Sequence, residues 1–145
     1  MKKKLYIVGV DGSEWSDRAV MRAVDIAKDT GAEVRLITVI PWSGIQPMTL
    51  DEIAQRPIEK HAEEETAQKE ILAPLVEKYK DHGAEISTEY FWGHPVDILH
   101  ERCKKEHANM LFMGRRGRSR VADLILGSVA NSIAHKCGIP CVLVP

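Results

Sequence analysis

The chain has 145 residues, 44% of them hydrophobic, with 20 basic residues against 21 acidic ones. That length fits one domain around a single core and leaves little room for a second folded unit. Balanced charge excludes a general attraction to nucleic acid or to an anionic membrane, so any polyanion must be recognised locally.

Residues 5–10 are continuously apolar, the pattern of a strand buried on both faces of a parallel sheet, and the run stops at Asp11-Gly12-Ser13. Behind Met1-Lys2-Lys3-Lys4 it is too brief for a signal peptide and far too brief to span a bilayer, so a soluble, cytoplasmic protein is expected. Ser13 is placed to N-cap a helix on which Trp15, Ala19, Ala23, Ile26 and Ala27 recur at helical spacing, with Gly31 as the stop. Residues 34–40 repeat the buried-strand pattern, and Pro41 ends it because proline cannot donate to a ladder. Residues 42–50, with Gly44 and Pro47, read as a loop.

From 49 to 82 the chain is rich in Glu, Lys, Gln and Ala, and Ile58, Ala62, Leu72, Val76 and Tyr79 trace one apolar stripe on a long helix. Pro57 marks its start or a break, and Pro74 should disturb the turn before it. Glu63-Glu64-Glu65 reads as a solvated face and not as a metal site. Gly83 ends the helix; residues 85–91 then alternate, as an edge strand partly exposed to water does. A turn follows at Trp92-Gly93-His94-Pro95, with Pro95 opening a helix that carries Val96, Leu99 and Cys103 inward and stops near His107.

Residues 109–113 form the fourth strand, which runs into Gly114-Arg115-Arg116-Gly117-Arg118-Ser119-Arg120. Gly127-Ser128 opens the last helix, on which Val129, Ala130, Ile133, Ala134 and Cys137 are spaced inward; Gly138 caps it, Pro140 follows, and Cys141–Val144 is a short apolar strand. The glycines spell Gly-x2-Gly-x9-Gly-Ser. Glycines let backbone N–H groups approach a ligand closely, and a helix N-terminus adds unpaired donors and the positive end of its dipole, so together they describe a phosphate cradle. Arg115, Arg116, Arg118 and Arg120 concentrate positive charge at the same place. The plain alternative is a strand-to-helix loop with solvated arginines. Cys103, Cys137 and Cys141 form no Cys-x-x-Cys pair, and no histidine pair has metal spacing, so no structural zinc is expected.

Five strands alternating with helices imply an α/β fold: a single-domain, open, five-stranded parallel sheet with helices on both faces, Rossmann-like, binding ligands beyond the carboxyl ends of its strands. Asp11, Pro41 and Gly114 lie on that rim. The opening stretch to Ser13, Gly93-His94-Pro95, and the glycine constellation ending in Pro140-Cys141-Val142-Leu143-Val144 together resemble the universal stress protein family over essentially the whole chain. The glycine spacing resembles that of the family's ATP-binding branch. The resemblance implies strand order 3-2-1-4-5, ATP at the rim, a stress-response regulatory role for one domain over 1–145, and a homodimer.

Position by position, the resemblance puts Asp11 near the ribose, the phosphates and any nucleotide-bound Mg²⁺ or Mn²⁺, flanked by Val10, Gly12 and Ser13. Val39, beside Ile40, presents its backbone to adenine; Met113 and Gly114 line the ribose side; Gly117, Gly127, Ser128 and Val129 hold phosphates. Arg115 and Arg116 stand where small or polar pairs are frequent in the family; either at least one pairs with phosphate oxygens, Arg116 being the one taken as a ligand, or they point to solvent or across a dimer interface. No Gly-x4-Gly-Lys-Ser/Thr loop and no matched base for water are apparent, so no catalytic residue is assigned and turnover should be slow or negligible. A weak metal-dependent ATPase and a nucleotide-free interaction module are the alternatives. The apolar Cys141–Val144 strand would be a hazard at a bare edge, which favours pairing with its symmetry mate.

Overall fold

A computed structural model describes residues 2–41, 49–117 and 127–145. Arg118, Arg120 and most of the loop expected over 42–50 lie outside the described residues. The elements run β1 (Leu5–Gly9), α1 (Glu14–Thr30), β2 (Glu33–Pro41), α2 (Leu50–Thr66), a π-helical stretch (Ala67–Leu72), α3 (Ala73–Tyr79), β3 (Glu85–Gly93), α4 (Pro95–Lys105), β4 (Met110–Gly114), α5 (Ser128–Lys136) and β5 (Cys141–Val144). The strands form one parallel sheet in the order β3-β2-β1-β4-β5. This is the predicted order, with β3 and β5 at the two edges. Among the described residues, no helix is long and apolar enough to cross a membrane.

Period-two alternation divides the apolar side chains of the sheet between two cores. Tyr6, Val8, Val34, Leu36 and Phe112 face α1 and α3, while Leu5, Ile7, Ile37, Leu111 and Met113 face α4 and α5. Ala19, Ala23 and Ala27 are fully buried on α1, and their small side chains let the helix sit close against the sheet. Ser13 caps α1 as predicted, its side chain accepting from the Ser16 N–H at 3.2 Å, and Gly31 ends the helix at φ +75°. Gly12, at φ +84°, makes the tight turn between β1 and that cap.

Several boundaries differ from expectation. Thr49 caps α2 through a reciprocal capping box with Glu52, so the helix starts there and passes through Pro57 without a break. The carbonyl that Pro57 leaves unbonded belongs to half-exposed Ile53, where water can serve it. Ile58 is 66% exposed and α2 buries no residue, so the predicted apolar stripe is a core face only from Ala67 onward, where Leu72, Leu75 and Tyr79 pack. Pro74 does disturb the preceding turn: lacking an N–H for the Glu70 carbonyl, it follows directly on the wider π-helical turn. Trp92 and Gly93 belong to β3 and not to a turn, because they pair with Ile40 and Pro41. Gly138 does not cap α5; extended Cys137 does, its N–H bonding the Ile133 carbonyl.

Asp17 pins α3 to α1, accepting from Lys78 Nζ at 2.8 Å and from the Tyr79 hydroxyl. Burial alone pushes this carboxyl up, but the hydrogen bonds from Lys78 and Tyr79 and the Lys78 charge outweigh it and hold the group below its ordinary 3.8. A carboxyl lowered by folding stabilises the protein above its unfolded pKa, and that stability is lost as pH falls through the folded value. Asp17→Asn should therefore lower stability at pH 7 by about 1 kcal/mol at most, since the pair is partly exposed. Melting curves from pH 7 down to 2 should show the variant losing less on acidification than the wild type. Parallel curves would rule out this linkage.

Candidate functional site

The carboxyl ends of β1, β2 and β4 open on a cavity of about 730 Å³. The adjacent strands β1 and β4 run on into the Asp11 turn and the glycine loop, and α5 begins beside them. A Cβ would be too close to a neighbour at Gly114 and Gly117, and in ordinary contact at Gly127. At Gly114 it would stand 2.7 Å from the Arg116 carbonyl oxygen and 2.7 Å from Trp15 Cβ; at Gly117, 2.7 Å from Asp11 Oδ2; at Gly127, 3.4 Å from both Arg116 Cα and Gly117 N. Gly127 thus lies against the backbone of Arg115, Arg116 and Gly117, and the Asp11 carboxylate lies against Gly117.

Gly127 is the N-cap of α5 and brings no side-chain hydrogen bond to it. Its carbonyl accepts from Asn131 N–H at 2.9 Å, and the N–H groups of Ser128, Val129 and Ala130 are first-turn donors that meet no backbone acceptor among the described residues. Gly127 itself is a correction to the expected donor set: its N–H is spent on the Arg115 carbonyl at 2.8 Å, while the Arg115 N–H bonds the Val144 carbonyl at 2.7 Å. Ala130 joins Ser128 and Val129 among the first-turn donors because α5 begins at Ser128.

Val39 lies at the other end. Val10 N–H donates to the Ile37 carbonyl at 2.9 Å, so the polar groups of Ile37 point toward β1. Two residues on, those of Val39 point the same way but pass the end of β1, and among the described residues no backbone bond from β1 meets them. One donor and one acceptor are thereby turned to the cavity.

Of the expected site residues, Val10, Asp11, Val39, Ile40, Met113, Gly114, Arg116, Gly117, Gly127, Ser128 and Val129 line the cavity together. Gly12 and Ser13 do not: Gly12 makes the turn, and the Ser13 hydroxyl is occupied in capping α1, while its N–H bonds Asp11 Oδ1 at 2.9 Å. Sequence reasoning missed the wall given by α2 and the π-helical stretch, where Glu63, Thr66 and Ala67 face the cavity. The glutamate run expected to be a solvated face has three fates: Glu63 lines the cavity, Glu64 bonds β3, and only Glu65 pairs along the helix surface, with His61 and Lys69.

A sequence profile described as the Universal stress protein family matches residues 5–145. This chain belongs to the universal stress protein family. It is 32% identical over 145 residues to Universal stress protein Rv1636 of Mycobacterium tuberculosis, covering 97% of this chain and 95% of that one. Universal stress protein Rv2005c of the same organism is 30% identical over 137 residues, but this universal stress protein spans only 44% of its length. Among solved structures, that of a universal stress protein in complex with cAMP is 28% identical, with a TM-score of 0.67, covering 99% of this chain and 98% of that one. The α/β fold and strand order derived above are those of the family.

Proposed function

We propose that residues 1–145 form one nucleotide-binding domain of the family's ATP-binding branch, with ATP in the cavity at the ends of β1, β2 and β4. The observation that carries this reading is the N-terminus of α5, which among the described residues has no side-chain cap and whose Ser128, Val129 and Ala130 border a cavity also lined by Gly117 and Arg116. Phosphates belong at that end. The Val39 N–H and C=O match the acceptor and donor on the pairing edge of adenine, and the cAMP complex of a 28% identical relative supports an adenine nucleotide.

With Asp11 against the cradle, a carboxylate and a triphosphate face each other, a conflict that Mg²⁺ or Mn²⁺ on the nucleotide resolves. Such a cation would lie near Asp11 and be held mainly by the phosphates. In this reading ATP acts as a ligand that sets conformation or partner choice, in a regulatory stress-response role with negligible hydrolysis. The reading includes a cytoplasmic homodimer in which β5, at the sheet edge, pairs with its symmetry mate.

The experiment is thermal melting with ATP, AMP and cAMP in the presence of Mg²⁺. ATP at a hundred times its Kd should stabilise the protein by about 2.7 kcal/mol. AMP and cAMP, with fewer oxygens for the cradle, should need higher concentrations for the same shift. Identical melting with and without saturating ATP would reject the proposal and favour a nucleotide-free interaction module.

A further inference from the structure

The wall that α2 gives the cavity is not held by burial, since the helix contributes no buried residue. It is held by polar contacts to the last residues of β3. The Glu64 carboxylate accepts from the Trp92 indole N–H at 2.8 Å and from the Tyr90 hydroxyl at 3.4 Å, and the Lys60 ammonium lies 5.4 Å from the Trp92 ring centroid. Glu63 and Thr66, the polar residues of the wall, stand one and two positions away from Glu64. Any roll of the helix that breaks the Trp92 contact carries both of them with it.

We infer that Glu64 is a positioning residue for the nucleoside end of the cavity: by gripping Trp92 and Tyr90 it holds α2 against β3, so that Glu63 and Thr66 close the wall opposite the phosphate cradle. This rests on the nucleotide reading above. Because β2 and β4 flank β1 on opposite sides, the grip on β3 and the α5 amides serve different ends of one ligand. Their effects are therefore separable.

The test is binding of adenosine, ATP and inorganic tripolyphosphate, by calorimetry, to the wild type and to Glu64→Ala, Glu64→Gln and Trp92→Phe. Glu64→Ala should weaken adenosine and ATP by the same factor, about tenfold, the scale of one lost hydrogen bond to a charged group. Tripolyphosphate binding should not change, and the ligand-free melting temperature should fall by no more than a few degrees, the cost of one partly exposed hydrogen bond. Glu64→Gln keeps an acceptor for the indole and should recover most of the affinity. Trp92→Phe keeps a ring for Lys60 but loses the N–H donor, and should behave like Glu64→Ala. Unchanged adenosine and ATP affinity in Glu64→Ala would overturn the inference and leave the nucleotide reading standing. A matching loss for tripolyphosphate would make Glu64 merely structural and overturn it as well. Failure of the wild type to bind ATP would remove the nucleotide reading, and this inference with it.

Discussion

Alanine at position 114 is expected to lower stability by about 3 kcal/mol, the upper end of what overpacking costs, and the melting temperature by roughly 6–12 °C for a domain of this size. The added Cβ would meet the Arg116 carbonyl oxygen at 2.7 Å, Trp15 Cβ at 2.7 Å and the Trp15 carbonyl carbon at 2.9 Å. Two of those three atoms are backbone, and Trp15 lies in the first turn of α1, which the Ser13 cap fixes. Neither side can yield cheaply. Gly117→Ala is the contrast, since its Cβ would meet only the Asp11 carboxylate, which can rotate away; its cost should stay under about 1 kcal/mol. Thermal unfolding followed by circular dichroism separates the two, and a Gly114→Ala protein that melts like the wild type would disprove the close approach of the loop to α1.

Asp11→Asn should weaken binding of ATP with Mg²⁺ by about 10- to 100-fold while leaving binding in the presence of a chelator unchanged or tighter. Asparagine preserves the shape of the side chain and the acceptor for Ser13 N–H, so the turn survives and only the charge is lost. A unit charge facing another at about 4 Å is worth about 4 kcal/mol at the effective dielectric of a protein surface, of which screening leaves a fraction. In the wild type that charge opposes the bare triphosphate and favours the metal-bound one. Titrations with and without Mg²⁺ on both proteins read the sign directly. Wild-type affinity that is indifferent to Mg²⁺ would show that Asp11 takes no part in metal recognition.

How far the molecule could be read in advance varied by element, for physical reasons. β1, β2 and β4 were legible because strands buried on both faces leave unbroken apolar runs, and their alternation with helices leaves little choice of topology. The glycine spacing marked the right loop, and at Gly114 the close approach of backbone leaves no room for a Cβ. The Gly127 amide was misjudged, since its use by Arg115 depends on a fold-back that no local pattern encodes. Periodicity also misread α2: Ile58 and Ala62 recur at helical spacing whether or not anything covers them. The three adjacent glutamates look identical in sequence, and only the position of β3 separates them. Gly12 and Ser13 were carried into the site by resemblance and have work to do in the turn instead.

The lack of buried residues on α2 has an evolutionary consequence. Mutational drift along its outer side, at Leu50, Ile53 and Ile58, removes no core contact and should be nearly neutral for folding. Selection can therefore remodel that side of the helix from one lineage to another without dismantling the domain, provided that Glu63, Glu64 and Thr66 stay in place.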